Sequence, residues 1–145
     1  MELDPLSADL AAQENQHILA QVGSRQIAFP ADMVAGIVLS ERSRVLALPF
    51  YRDTVLGIVH YQGQFVTLVM FQQLLEGQPG QLREVFNAIQ LSEQTEMPGV
   101  GLVIDRLLGN CTETEVSTND AIERFQPQML GAELWQPRRW AAVTA

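Results

Sequence analysis

The chain has 145 residues, 47% of them hydrophobic, enough to build one domain with a full core and no covalent staples. Its formal charge is −8, from 9 basic and 17 acidic side chains, a balance that repels phosphate backbones and argues against a nucleic-acid partner. The single cysteine, Cys111, excludes an internal disulfide and a thiolate metal cluster, and it fits a reducing cytoplasm.

Asp4-Pro5-Leu6 opens a short helical pattern, with Asp4 able to cap and Pro5 suited to the first helical position. Residues 1–16 are read as a tail or a short helix, carrying acids where a signal peptide carries Lys or Arg. From His17 the texture turns to short β-like runs. Residues 17–22 and 25–29 flank Gly23-Ser24, a two-residue hairpin turn, and Pro30 stops the second arm because it has no N–H for a ladder. Residues 33–39 and 44–48 are further apolar runs, the latter closed by Pro49.

Residues 55–61 and 64–70 are two strands around Gln62-Gly63. A two-residue loop sets the register, so Tyr61 faces Gln64, His60 faces Phe65 and Val59 faces Val66. Both faces of this ribbon are apolar, which implies cover on both sides, as at the junction of two sheets or barrels. Residues 71–75 read as one helical turn stopped by Gly77, and 76–83 as an exposed connector. Strands resume at 85–91 and 100–108, separated by a polar loop at 92–99. Residues 112–116 alternate and read as an exposed strand, 118–125 as a short helical turn, and 129–143 as a hairpin broken by Gln136-Pro137. About ten short strands with almost no helix suggest small barrels or a sandwich. No apolar run approaches the roughly 20 residues of a bilayer span.

Catalytic chemistry is thin. His17 and His60 are the only histidines; His60 has no acid or thiol at a local ligand spacing and no cluster of converging ligands is visible, so metal binding is not expected of either and His60 is read as a packed or interface residue. Gly99-Val100-Gly101 lacks the third glycine of a nucleotide loop. Asp105 reads as a turn or ion-pair acid at the end of a buried strand, and Trp135 and Trp140 as core residues before interface anchors. Arg138-Arg139 reads as solvated surface, and the Asn110-Cys111-Thr112 glycosylation triplet as a coincidence. No enzyme activity, cofactor or metal is expected.

Three motifs in order carry a resemblance. Leu46-Ala47-Leu48-Pro49 with Val55-Leu56-Gly57-Ile58-Val59-His60-Tyr61-Gln62-Gly63 is similar to the Leu-Pro pair, Gly-Val-Ile-Asn strand and Arg-Gly turn of the CheW family of chemotaxis coupling proteins. Gln26-Ile27-Ala28-Phe29-Pro30 with Val34 and Ile37 resembles that family's early Ala-Ile-Pro element, and Gly101-Leu102-Val103-Ile104-Asp105 its Gly-Leu-Val-Val-Asp strand. Departures stand at His60 for the family's Asn, Gln62 for its turn Arg, Thr67 for a Pro, and Met70 for the Asp of the following helical turn. The resemblance implies an all-β fold of two SH3-like five-stranded β-barrel subdomains sharing a core, with one or two short helical turns, over residues 17–145. It implies an adaptor that couples the regulatory domain of a CheA-type histidine kinase to the cytoplasmic tip of a methyl-accepting chemoreceptor by protein–protein binding, with no catalysis of its own. Its expected place is the cytoplasm, peripheral to a membrane receptor array and not inserted in the bilayer. Carried over by position, the interface residues are Val34, Ile37, Gly57, His60, Gln62 and Gly63. The alternative it leaves open is a divergent interaction module of a pilus or gliding system, or a self-associating scaffold without standard kinase coupling.

Overall fold

A computed structural model describes residues 16–48, 51, 54–78, 80–131 and 134 of the chain. The N-terminal cap at Asp4-Pro5, Pro49, Trp135, Trp140, Arg138-Arg139 and most of the expected 129–143 hairpin lie outside the described residues, and where that hairpin should begin the chain instead forms the 3-10 turn Pro127–Leu130.

Strands β1 (Gln16–Val22) and β2 (Arg25–Pro30) form the expected hairpin, with Gly23 taking the left-handed position at φ 60° that its missing Cβ permits. A single 3-10 turn leads into β3 (Val34–Glu41), and a second follows it at Arg42–Arg44. Strands β4 (Val55–Tyr61) and β5 (Gln64–Met70) pair in the register read from the sequence, closed by Gln62 at φ 49° and Gly63 at φ 79°. Helix α1 (Phe71–Glu76) ends on Gly77 at φ 73°. β6 (Val85–Leu91), β7 (Val100–Ile104), β8 (Arg106–Thr112), α2 (Glu113–Thr118) and β9 (Ile122–Arg124) complete the order.

Two sheets result. One has the order β8-β1-β2-β9, four strands among the described residues, with β9 parallel to β2. The other has the order β3-β6-β7-β5-β4, with β7 parallel to β5. The five-stranded sheet closes on itself through Leu46, which exchanges both backbone hydrogen bonds with Ile58 at 2.8 and 2.9 Å. The four-stranded sheet is closed by side chains: Glu113 takes a hydrogen bond from the Arg124 guanidinium on β9 and lies 2.6 Å from His17 Nε2 on β1.

Each barrel has its own interior, and a larger core lies between them. Val38, Val59, Val66, Leu68, Phe86 and Val103 fill the five-stranded barrel, while Ala28, Cys111 and Val116 fill the smaller one. Ile27, Phe29, Val69, Phe71, Ile89, Leu102 and Phe125 form the shared core, where the Phe29 and Phe125 rings stack at 4.8 Å. Polar contacts clamp the two halves. The Gly23 N–H at the β1–β2 turn donates to Asp105 Oδ2 at 2.7 Å, and Ser24 Oγ donates to Glu76 Oε1 at 3.0 Å.

Three local expectations are corrected. Residues 100–108 are not one strand: the chain changes sheet at Asp105, the link between β7 and β8. Residues 112–116 are not a strand, because Thr112 Oγ1 caps α2 by accepting from Glu115 N at 3.2 Å and two acids sit in its first turn. Within 118–125 the regular element is β9, held by parallel pairing with β2 rather than by any local pattern. The β4–β5 ribbon is covered on both faces only at its base. There Val55 and Val69 enter the shared core, while Phe65 at the tip is 73% exposed.

Candidate protein-docking site

Two grooves open on different faces of the pair of barrels. The first, of about 710 Å³, lies at their junction. The loop between β6 and β7 supplies Thr95 and Met97 to its wall, the 3-10 turn at Pro127–Leu130 supplies Pro127, Gln128 and Leu130, and Leu91 lies between them. The loop is fixed from below: Ser92 N donates to Met33 O at 2.9 Å, and the buried Thr95 hydroxyl donates to Ser92 O at 2.8 Å. Val34 is the ladder partner of Leu91, and both Val34 and Ile37 pack, half-buried, against the shared core.

The second groove, of about 480 Å³, runs along the seam where the five-stranded barrel closes, between β3 and β4. Leu39, Ser40 and Glu41 line one side, His60, Tyr61 and Gln62 the other, with Arg44 and Val85 at the ends. Leu39 is 58% and Val85 54% exposed, so both leave apolar surface along the groove. The Tyr61 hydroxyl pins the two edges together by donating to the Ile37 carbonyl at 3.3 Å. His60 stacks edge-on against Phe65, ring centroids 5.3 Å apart, on the exposed tip of the ribbon.

The six residues carried over from the sequence therefore separate. Val34 and Ile37 stand at the barrel junction, and His60 and Gln62 line the seam with Gly63 beside them in the exposed turn. Gly57 is buried beneath the Leu46 backbone, where it serves barrel closure. Leu39, Val85, Phe65 and Met97 were not singled out from the sequence. Only Met97, an apolar residue in a polar loop, carried a local signal. Met70 occupies the N-cap of α1 without a capping side chain and instead buries itself in the five-stranded barrel.

The electrostatics of these faces are mild. The most strongly held acid is Glu113, on the far barrel, whose carboxyl the Arg124 guanidinium and then the His17 ring hold down at about 2. Burial, then the nearby carboxylates of Glu115 and Glu113, pushes the Cys111 thiol up. Among the described residues no helix is long and apolar enough to cross a membrane.

The family model for the CheW-like domain matches residues 16–132. Among solved structures the chain is similar to the scaffolding protein TtCheW from Thermoanaerobacter tengcongensis, with a TM-score of 0.57 at 10% identity, covering 68% of this chain and 62% of that one. The chain thus spans less than two thirds of the length of that solved protein, and the likeness is one of fold. No curated protein matches the sequence.

Proposed function

The chain belongs to the CheW-like domain family, and on that premise we propose that it is a non-enzymatic adaptor joining a CheA-type histidine kinase to the tip of a chemoreceptor. The observation that carries this reading is the pair of grooves on separate faces of one rigid double barrel, which lets two partners bind at once. The junction groove, broad and floored by Leu91, Met97 and Leu130, suits an amphipathic helix from the receptor. On this reading the seam, lined by His60 and Gln62 with Gly63 in the adjoining turn, is the face that meets the kinase regulatory domain. Coupling then follows from geometry: the shared core fixes one face relative to the other, so a shift of the receptor helix reaches the kinase through a body with little internal play.

Titration of the chain into the isolated regulatory domain of the cognate kinase, and separately into a receptor tip fragment, tests the assignment. Measurable heat and co-elution with both support it, and neither signal at high micromolar concentration rejects it. Met97→Lys, in the wall of the junction groove, should weaken the receptor arm and spare the kinase arm, and His60→Ala should do the reverse.

Gln62 and Met70 favour a second reading. A turn Arg offers five donors in a fixed fork, which Gln62 does not replace, and Met70 buries where the family's Asp would face the helix end. On this reading the chain serves a pilus or gliding system, or scaffolds by self-association. A deletion strain with normal taxis, together with a stable homo-oligomer in solution, distinguishes it from the first.

A further inference from the structure

The junction groove lies where the chain leads out of the shared core. Gly131 lines the groove, and Leu134, 2% exposed, is buried in that core together with Leu91 and Leu130. Three residues of chain span at most about 11 Å, so Leu134 stays close to the Gly131 wall and the segment after it sets out from there. That segment is Trp135-Gln136-Pro137-Arg138-Arg139-Trp140. It holds both tryptophans of the chain and two of its 9 basic side chains, and it carries no acid.

The groove matches this segment in charge and in texture. Its lining holds one acid, Glu96, and no base, and Glu93 stands in the same loop between β6 and β7. Both acids are exposed, and neither has an ion-pair partner among the described residues. Arg138 and Arg139 supply two guanidinium groups of the opposite sign. Between Gln94 and Gln128 the wall is apolar, built from Met97, Pro127 and Leu130. An indole, an apolar plate with a single N–H, suits such a mixed wall. Pro137 turns Gln136 away from helical backbone, and six extended residues span about 20 Å, enough to carry the second tryptophan across. The tether is short, so the segment meets the groove at an effective concentration in the millimolar range and weak contacts suffice. A second copy of the chain is disfavoured as the occupant, since it would set a charge of −8 against another −8.

We propose that the chain's own segment 135–140 folds back into the junction groove, its tryptophans on the apolar wall and its arginines against Glu93 and Glu96, so that an incoming partner helix must displace it. The seating of the segment stands on the groove and the segment alone. The displacement rests on the reading of this groove as a docking face.

The test places a nitroxide on Ala141→Cys in the full chain, where buried Cys111 stays unlabelled under brief native treatment, and follows the amide spectrum. The amide signals of Gln94, Met97 and Gln128 should be lost and should return when the nitroxide is reduced, while those of His60 and Phe65 on the seam side stay intact. Glu93→Arg with Glu96→Arg should restore the groove signals, as should Arg138→Glu with Arg139→Glu, and all four changes together should lose them again. The loop pair and the tail pair report separately, so one that fails to fold leaves the other to decide. Loss of signal at the seam instead of the groove, loss that ignores both charge reversals, or loss seen between labelled and unlabelled copies in a mixture would each overturn the seating. With the groove covered nine-tenths of the time, the tail reversal should tighten binding of a receptor tip fragment by about tenfold. Equal affinity before and after the reversal would overturn the displacement. Groove signals lost as expected, with no receptor fragment bound by either chain, would support the seating and reject the docking reading, so the two fail separately.

Discussion

Gly57 lies directly beneath the backbone of Leu46, so close that a Cβ there would sit 2.2 Å from the Leu46 carbonyl oxygen. Its φ of 152° is one that side-chain-bearing residues rarely adopt. These two facts explain why the Leu46–Ile58 bridge can form, and with it the closure of the five-stranded barrel. Gly57→Ala should therefore cost about 2–4 kcal/mol, combining overpacking against rigid backbone with a strained φ. Urea unfolding should show a lower midpoint with an unchanged slope. A loss below about 0.5 kcal/mol would mean that the segment around Leu46 can be displaced freely.

The contact between Asp105 and the Gly23 N–H joins the point where the chain changes sheet to the turn of the first hairpin. Asp105→Ala leaves a part-buried donor without its acceptor and should destabilise by about 1–3 kcal/mol, whereas Asp105→Asn, which keeps an acceptor oxygen, should lose less than half of that. Thermal melts of the two variants check it. Equal losses would show that the carboxylate charge, rather than the hydrogen bond, holds the clamp.

What could be read in advance follows from how local each cause is. The β4–β5 hairpin was legible because Gln62-Gly63 and the apolar alternation on either side lie within one short stretch. His60 and Gln62 came to the same groove for the same reason. The exchange of strand and helix around α2 and β9 was not legible from alternation. In residues 112–116 the period of two came from exposed Thr and Glu, and the deciding cause was the Thr112 cap. β9 exists only because β2 offers it an edge, across about a hundred residues of chain. Leu39 and Val85 met in the seam through the pairing of β3 with β6, for which neither segment carries a private signal. The family motifs supplied the architecture that local propensity left open.

Glu113 ties β1, α2 and β9 together, and its carboxyl is depressed from an ordinary 4.5 to about 2, chiefly by Arg124 and then by His17. A carboxylate whose folded value is lowered contributes stability that is present above its unfolded value. That stability drains away as pH falls from near 4.5 through about 2. The four-stranded barrel should thus loosen across this window, and Glu113→Gln should be less stable at neutral pH with a flatter acid limb. Urea midpoints measured at pH 7, 4.5 and 3 check the sign. A variant that loses stability with acid as steeply as the parent would place the effect on other carboxylates.

Cys111 clusters with Ala28 and Val116 inside the smaller barrel, on β8 directly opposite His17 of β1 in the ladder. Burial is the main force on its thiol, and the carboxylates of Glu115 and Glu113 add to it, so the thiolate is disfavoured twice over. The thiolate is the reactive form, and reaching it requires the barrel to open. At pH 7 a thiol reagent should label the native chain at least about a hundredfold more slowly than the unfolded one, at a rate that tracks local opening. The link to the ion cluster makes this sharper. Glu113→Gln removes a nearby negative charge, which alone would ease ionisation, but it also weakens the closure that covers the thiol. Both changes act in the same direction, so labelling should accelerate in that variant. An unchanged rate would show that β8 opens independently of the Glu113 contacts.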